Sequence, residues 1–176
     1  FAKVTGDFSI CGSLLGRLVE NYEAWEKGWI SSRGFKVGLH PEQRLFHQRA
    51  DREGTEYALS PDGARPMVNS SMWAEANAIA NIARRKGENA IAERFEKKAQ
   101  ALADAVRNKL WNEEKRFFTA ADTNGVLSSV CELHGYAPFY FGMPMEAKYA
   151  SAWRLLTDES GFLAPKGLVF PARNTP

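Results

Sequence analysis

The sequence predicts a mainly α-helical fold. Three stretches repeat apolar residues at three- and four-residue intervals, which is the period of an amphipathic helix. They cover residues 8–29, 69–86 and 89–112. No long run alternates apolar and polar residues as a half-buried strand does, and no glycine-rich phosphate loop follows a predicted strand. Helices packed on helices are therefore the expected architecture.

The first predicted helix covers residues 8–29. Asp7 is the predicted N-cap, and Gly28 weakens the C-terminal end. The expected buried face consists of Ile10, Leu14, Leu15, Leu18, Val19, Tyr22 and Trp25.

Residues 29–67 are rich in glycine and proline and have no clear period. Short strands or turns are predicted in FKVGL and TEYAL. A connection this long in a compact domain is usually functional. We therefore expect the chemistry of the protein in this segment.

The next two predicted helices form an antiparallel hairpin, because only a short loop around Gly87 separates residues 69–86 from residues 89–112. Asn69 or Ser70 is the predicted N-cap of the first of them, and Gly87 is its predicted stop. The expected faces are Ala76, Ile79, Ala80, Ile82 and Ala83 on one helix, and Ile91, Phe95, Ala99, Leu102, Val106 and Leu110 on the other.

After this hairpin the predicted elements are shorter. Residues 111–119 look extended and an Asn124-Gly125 turn follows, so a short β-hairpin is expected. A helix interrupted near Gly135 and Pro138 is predicted in residues 131–141. Another, beginning after Pro144, is predicted in residues 145–156.

Composition excludes several classes of protein. The chain is 44% hydrophobic and 25% charged with a formal net charge of +2, which is typical of an ordinary globular protein. Basic and acidic residues are interspersed, so no nucleic-acid track is predicted. No apolar run approaches the ~20 residues of a membrane span. The two cysteines and three histidines lack metal-ligand spacing, so neither a metal nor a cofactor is predicted.

Three acids, Asp51, Glu53 and Glu56, lie close together before the second long helix. Carboxylates that repel one another can raise the pKa of one member, as a general acid requires. Loop acids are more often solvated and paired with nearby cations, here Arg49, Arg52 and Arg65. The residues alone favour this ordinary interpretation.

Other candidate binding residues also have two possible roles, one in ligand binding and one in the structure. Asn69 and Arg65 could bind sugar hydroxyls, although Asn69 could instead cap the helix. The aromatic residues Trp29, Trp73 and Tyr136 are candidate stacking platforms, but core packing is their more common role. Glu132 lies in an apolar segment, where a carboxylate must be paired or face a cavity.

Several segments in order resemble the mannosylglycerate-hydrolase-like glycosidases, which belong with trehalase and the processing α-glucosidases. The segments are GTEYALS, ARPMVNSSMWAEANAIANIARRKGE, LWNEEKRFF, CELHGYAPFYFGMP and GFLAPKGL. The resemblance implies a partial (α/α)6 toroid of the six-hairpin glycosidase type, a carbohydrate substrate and inverting hydrolysis of α-glycosidic bonds.

The resemblance also implies roles for particular residues. By position Glu56 matches the general acid, where several members carry Asp, and Asp51 is its rival. The candidates for sugar contacts are those that the residues themselves suggest: Trp29, Glu53, Arg65, Asn69, Trp73, Glu132 and Tyr136. No match to the catalytic base is present. Residues 1–176 are therefore expected to be a single domain that is part of a larger catalytic domain and is truncated at both ends. We expect the isolated chain to be inactive, and the substrate of the whole domain to be of glucoside or mannoside type.

Two other classes of protein remain as alternatives. A helical-repeat binding module would explain the central hairpin, but no period near ~34 residues recurs elsewhere in the chain. Another α/α-toroid enzyme, such as a polysaccharide lyase, would share the helices and use a different catalytic constellation.

Overall fold

The fold is mainly α-helical, as predicted. The computed structural model describes residues 2–52 and 58–174. The α-helices are α1 (Ala2–Thr5), α2 (Ser9–Lys27), α3 (Pro66–Lys86), α4 (Asn89–Lys109), α5 (Ala137–Tyr140) and α6 (Arg154–Thr157). Three 3₁₀ helices also occur in this part of the chain: Ala50–Arg52, Leu133–Tyr136 and Ala147–Trp153.

The α3–α4 hairpin forms the centre of the core, and α2 packs against α3. The predicted face of α3 is confirmed at Ala76, Ile79, Ala80 and Ala83, which are buried, while Ile82 is half-buried. On α4 the face from Phe95 to Leu110 is buried and Ile91 is half-buried. Because most of the facing residues of α3 are small, the α3 and α4 backbones can lie close together, and the larger side chains of α4 fill the space between them.

Only part of the predicted face of α2 is buried. Leu15 and Tyr22 are in the core, and the ring of Tyr22 packs edge-to-face on Phe95 at 5.2 Å. Ile10 and Leu14 are exposed instead, at 54% and 39%. The surface of α2 that α3 and the neighbouring strands cover is narrower than the apolar face that the sequence period predicts. The prediction that Ile10 and Leu14 are buried is therefore wrong.

Two predicted helix caps are also wrong. The N-cap of α2 is Phe8, and Asp7 lies one residue earlier, where its carboxylate accepts a hydrogen bond from the backbone N–H of Ser9. The N-cap of α3 is Arg65, so Asn69 and Ser70 lie inside the helix. Proline at the first helical position, Pro66, has its φ already set for a helix, which moves the start upstream.

A four-stranded antiparallel sheet occupies the segment that was predicted to be irregular. Its strands in order are β1 (Trp29–Ile30), β2 (Lys36–His40), β3 (Leu45–Gln48) and β4 (Gly63–Ala64). The strands are only two to five residues long, and all four residues of β3 are buried. Neither property produces the alternation that marks a strand in a sequence. The short strand predicted in FKVGL is nevertheless confirmed by β2, and most of TEYAL lies outside the described residues.

Two glycines join the end of α2 to this sheet. Gly28 has φ of 67° and Gly38 has φ of 126°. A Cβ on Gly28 would lie 1.9 Å from the carbonyl oxygen of Val37, and one on Gly38 would lie 2.6 Å from Cα of Gly28. The backbones can approach this closely only because both residues lack a side chain. This contact fixes Trp29, the first residue of β1, beside β2.

The C-terminal part consists of short elements around an aromatic cluster. Two small ladders, β5 (Trp111–Asn112) with β6 (Phe117–Phe118) and β7 (Leu163–Ala164) with β8 (Gly167–Leu168), lie in this region. A short hairpin therefore follows α4, as expected, but it turns at residues 113–116. The predicted Asn124-Gly125 turn lies instead within an isolated bridge between Ala121 and Leu127. The two later helices are broken into 3₁₀ and α turns, with the first break at Tyr136, close to the predicted interruption.

Candidate functional site

The candidate site is the loop between β3 and β4, which carries the predicted acids. Glu53 and Glu56 lie outside the described residues, so their placement stays a prediction. The structure describes the two ends of the loop, residues 49–52 and residues 58–62. Each end is held by its own set of polar contacts.

The N-terminal end of the loop is fixed by a buried cation. Arg49 is only 4% exposed and forms an ion pair with Asp51. A second cation, Arg33, lies 3.9 Å from the same Asp51 oxygen. The backbone N–H of Ala50 donates to the carboxylate of Asp62 at 2.7 Å, which joins the two ends of the loop. The pairing of a loop acid with Arg49, expected as the ordinary interpretation, is confirmed for Asp51.

The C-terminal end of the loop is fixed by a buried carboxylate. One oxygen of Glu132 accepts hydrogen bonds from the backbone N–H groups of Leu59 at 2.7 Å and Ser60 at 3.1 Å. The other oxygen forms a salt bridge with Arg65 at 2.9 Å. Arg65 in turn donates to the carbonyl oxygens of Ser60 and Pro61. Glu132 is therefore paired, as its apolar surroundings require, and it holds the backbone three residues after Glu56.

Asn69 connects the sheet to α3 directly behind this end of the loop. Its side chain is fully buried. The amide oxygen accepts from the N–H of Phe46 at 2.7 Å, and the amide nitrogen donates to the carbonyl oxygens of Phe46 and Arg65, each at 2.9 Å. These bonds place Asn69 and Arg65 behind the surface of the site. Direct contact of either residue with a sugar stays a prediction.

Two hollows lie beside the loop. A polar hollow of about 500 Å³ is lined by Arg33, Gly34, Phe35, Arg49, Ala50, Asp51, Ala58 and Asp62. An aromatic hollow of about 480 Å³ is lined by Trp25, Trp29, Ile30, Ser31, Ser32, Val37, Gln48, Arg49 and Arg52. Arg49 lines both, so the two hollows are neighbours. Their volumes fall within the range of small-molecule sites, ~300–1,000 Å³.

The predicted aromatic platforms are not brought together. Trp29 lines the aromatic hollow and is 46% exposed. Trp73 is half-buried on α3 and packs against the core. Tyr136 belongs to the C-terminal aromatic cluster, where its hydroxyl donates to the carbonyl of Ala152 at 2.8 Å, and burial raises its pKa. Of the three, Trp29 alone is among the described residues that line the two hollows.

Three residues of the site were not singled out from the sequence as site residues: Arg33, Arg49 and Asp62. The available signal was the density of opposite charges between residues 49 and 65. Arg33 lies far from that run in the chain and reaches it only through the β1–β2 turn.

Among the described residues, no three His, Cys, Asp or Glu side chains are grouped closely enough to hold a metal ion. No helix in the same residues is long and apolar enough to span a membrane.

The comparison with known families decides which kind of protein carries this loop. The profile of the mannosylglycerate hydrolase MGH1-like glycoside hydrolase domain matches residues 17–176. The chain belongs to this family. The match includes the loop, the α3–α4 hairpin and the C-terminal aromatic cluster. It supports the glycosidase hypothesis over the helical-repeat module and the lyase.

Solved structures of similar fold are also glycosidases by name. One, named a sialidase, superposes with a TM-score of 0.84 at 31% identity, over 97% of this glycoside hydrolase domain and 15% of that chain. Another is a GH78 family rhamnosidase of Bacillus sp. GL1, with a TM-score of 0.64 at 16% identity, over 96% of this domain and 17% of that chain. The domain thus spans about one-sixth of the length of each. The fold is consistent with that of (α/α)6-type glycoside hydrolases.

Proposed function

We propose that this chain is part of the catalytic domain of an inverting α-glycoside hydrolase in which Glu56 is the general acid. The observation that carries the proposal is the anchoring of both ends of the Glu56 loop. Arg49 and Asp62 hold one end, and the Glu132–Arg65 pair holds the other. A general acid must sit within hydrogen-bond reach of the leaving oxygen, and fixed loop ends reduce the entropy lost in reaching that position.

The charge arrangement favours Glu56 over Asp51 as the acid. Asp51 lies between Arg49 and Arg33, so its negative charge is balanced by two cations. Its carboxylate is therefore engaged as an ion-pair partner at the N-terminal end of the loop. Asp51 is therefore assigned to ordering the loop, and Glu56 to protonating the glycosidic oxygen.

The proposed reaction requires a second carboxylate. In an inverting enzyme it activates a water molecule on the opposite face of the sugar, and the two carboxyl groups are ~6.5–9.5 Å apart. We place this base, and the rest of the (α/α)6 ring, in further parts of a longer protein. The small share of the sialidase and rhamnosidase chains that this domain covers supports this placement.

The proposed substrate is a glucoside- or mannoside-type carbohydrate in the polar hollow. Hydroxyl groups would meet the charged side chains of Arg33, Asp51 and Asp62 that line it. Glu53 and Trp73 stay proposed sugar contacts. Arg65, Asn69 and Glu132 would act mainly from behind, by fixing the backbone of the loop.

The test compares Glu56→Gln with Asp51→Asn in the full-length protein. Glu56→Gln should lower hydrolysis of unactivated α-glucosides or α-mannosides by about 10²–10⁴-fold, because Gln cannot supply the proton. Hydrolysis of the corresponding glycosyl fluoride should be largely retained, since fluoride leaves without protonation. Asp51→Asn should have the smaller effect on unactivated substrates.

Two results would contradict the proposal. Unchanged turnover of Glu56→Gln, or a larger loss in Asp51→Asn, would remove the assignment of the acid. A product that retains the anomeric configuration, followed by proton NMR in the first minutes of reaction, would exclude inversion.

A further inference from the structure

We propose that the aromatic hollow is a second sugar subsite, in which a pyranose ring stacks on Trp29 next to the sugar held in the polar hollow. The inference rests on the proposed function and deepens it. It makes the substrate an oligosaccharide or glycan of at least two sugar units, rather than a simple monosaccharide glycoside.

Trp29 lines the aromatic hollow and is exposed there. The residue is 46% exposed, although tryptophan is highly buried on average. It is not loosely held, because Trp25 packs edge-to-face on it at 4.9 Å, with an angle of 72° between the rings. Its backbone pairs with Val37 in the sheet, and the adjacent Gly28 lies against Gly38. A partly exposed indole that is already held in place offers a flat apolar face, and little conformational entropy is lost when a ligand binds to it.

Polar side chains line the aromatic hollow together with Trp29. The same hollow contains Gln48, Arg49, Arg52, Ser31 and Ser32. A pyranose has apolar C–H faces and a rim of hydroxyl groups, so a site for it combines an aromatic face with polar side chains. A site for a purely apolar ligand would not need this polar rim.

Arg49 connects the aromatic hollow with the polar hollow. This side chain lines both hollows and is held by its pair with Asp51. Each hollow is about 500 Å³ or slightly less, so each has room for a single sugar ring. Two adjacent rings on either side of one guanidinium match two consecutive units of a saccharide.

Binding measured without turnover tests the subsite separately from catalysis. In the full-length Glu56→Gln protein, calorimetry would compare methyl α-glucoside, maltose and maltotriose, and methyl α-mannoside with the corresponding α-linked mannobiose and mannotriose. The disaccharide of the preferred series should bind at least tenfold more tightly than its methyl glycoside. Adding Trp29→Ala should remove this gain and leave the affinity for the methyl glycoside unchanged.

Two further variants separate stacking from a loss of structure. Trp29→Phe keeps an aromatic face and should keep part of the gain. Tyr140→Ala removes another exposed aromatic ring, 83% exposed on α5, and should keep all of it. Equal affinity of Trp29→Ala and the parent for the disaccharides, or no binding of any of these saccharides, would overturn the subsite. Residual turnover in Glu56→Gln would instead contradict the assignment of the acid.

Discussion

Arg65 and Glu132 form a salt bridge of 2.9 Å in the interior of the protein, with side chains that are 0% and 5% exposed. The pair joins the start of α3 to the segment that precedes the 3₁₀ helix Leu133–Tyr136. Glu132 also accepts the backbone N–H groups of Leu59 and Ser60, so the pair fixes the loop as well as the two elements. A buried pair of this kind is costly to break because each partner would leave an uncompensated charge.

We expect Glu132→Gln to lower the free energy of unfolding by about 3–5 kcal/mol, because Arg65 is then buried without its anion. The double variant Arg65→Met with Glu132→Gln should be less destabilised than Glu132→Gln alone, since the unpaired charge is gone. Urea unfolding followed by circular dichroism measures both. As a control, Arg84→Gln removes one partner of the exposed Arg84–Glu96 pair and should lower the free energy of unfolding far less than Glu132→Gln does. Similar losses in the buried and exposed pairs would contradict the role of burial.

His47 should make the protein less stable in mild acid. It is buried on β3, and burial together with the neighbouring His40, stacked at 4.8 Å, lowers its pKa to about 4, against an opposing effect of Asp122. The unfolded chain therefore binds a proton at His47 near its ordinary pKa of 6.5, while the folded protein does not until about pH 4. Protonation of His47 therefore does not lower the free energy of unfolding above about pH 6.5. Below this value the free energy of unfolding falls as the pH falls towards 4, by at most about 1.4 kcal/mol per pH unit.

The variant His47→Gln isolates this contribution. Gln can still donate to the amide oxygen of Gln43, as the ring nitrogen of His47 does at 2.8 Å, but it does not titrate. Stability curves in urea at several values between pH 4 and pH 7 should be flatter for the variant than for the parent. Parallel curves would show that His47 does not carry the acid sensitivity.

Gly38 should tolerate alanine much less well than another glycine with positive φ. A Cβ on Gly38 would meet Cα of Gly28 at 2.6 Å and the carbonyl oxygen of Trp25 at 2.9 Å. Gly142 also has positive φ, 74°, but has nothing within 4 Å of an added Cβ. Gly142→Ala should cost about 1 kcal/mol from the backbone alone. Gly38→Ala should cost at least about 2 kcal/mol more, because it also forces α2 away from β2.

The same pair of variants reports on the aromatic hollow. Displacement of α2 from β2 moves Trp25 and Trp29 relative to Arg49, so Gly38→Ala should also weaken saccharide binding by the folded protein. Thermal unfolding and calorimetry measure the two effects. Equal destabilisation by both alanine substitutions would contradict the contact between Gly28 and Gly38.

The long helices could be predicted from the sequence because their stabilising pattern is local. The apolar residues of α4 recur every three or four positions, and its observed face matches that period. Of the sheet, only β2 could be predicted, in FKVGL, since β3 is buried on both sides and β1 and β4 are two residues long. Its register depends on contacts such as the Gly28–Gly38 approach, which no local period encodes.

The candidate site was predictable only as separate parts. Glu132 was expected to be paired or to face a cavity, and Arg65 was a candidate sugar contact. The two lie 67 residues apart, and a single sequence gives no sign of their contact. The hydrogen bonds by which Asn69 joins α3 to β3 could not be predicted for the same reason, because they also link residues that are distant in the chain. Family resemblance located the loop, and the assignment of Glu56 within it stays a prediction.

Cys131 offers a chemical probe of the Glu132 segment, because it is the adjacent residue and is buried. Burial raises the pKa of its thiol to about 11, only partly offset by Lys115. At pH 8 a very small fraction, on the order of one molecule in a thousand, carries the reactive thiolate. We therefore expect iodoacetamide to modify the half-buried Cys11 much faster than Cys131 in the native protein. Peptide mass spectrometry after timed quenching measures both rates, and both thiols should react in concentrated urea.

The probe also tests whether the Arg65–Glu132 pair holds this segment closed. If Glu132→Gln lowers stability by about 3 kcal/mol or more, the population of open molecules rises by about 100-fold or more. The rate at Cys131 should rise in proportion, because only the open form exposes the thiol. The rate at Cys11 should change less, since this side chain is already half-exposed. A Cys131 rate that is unchanged in Glu132→Gln would show that the segment is held by other contacts, such as the hydrogen bond from the N–H of Ala172 to the Cys131 carbonyl.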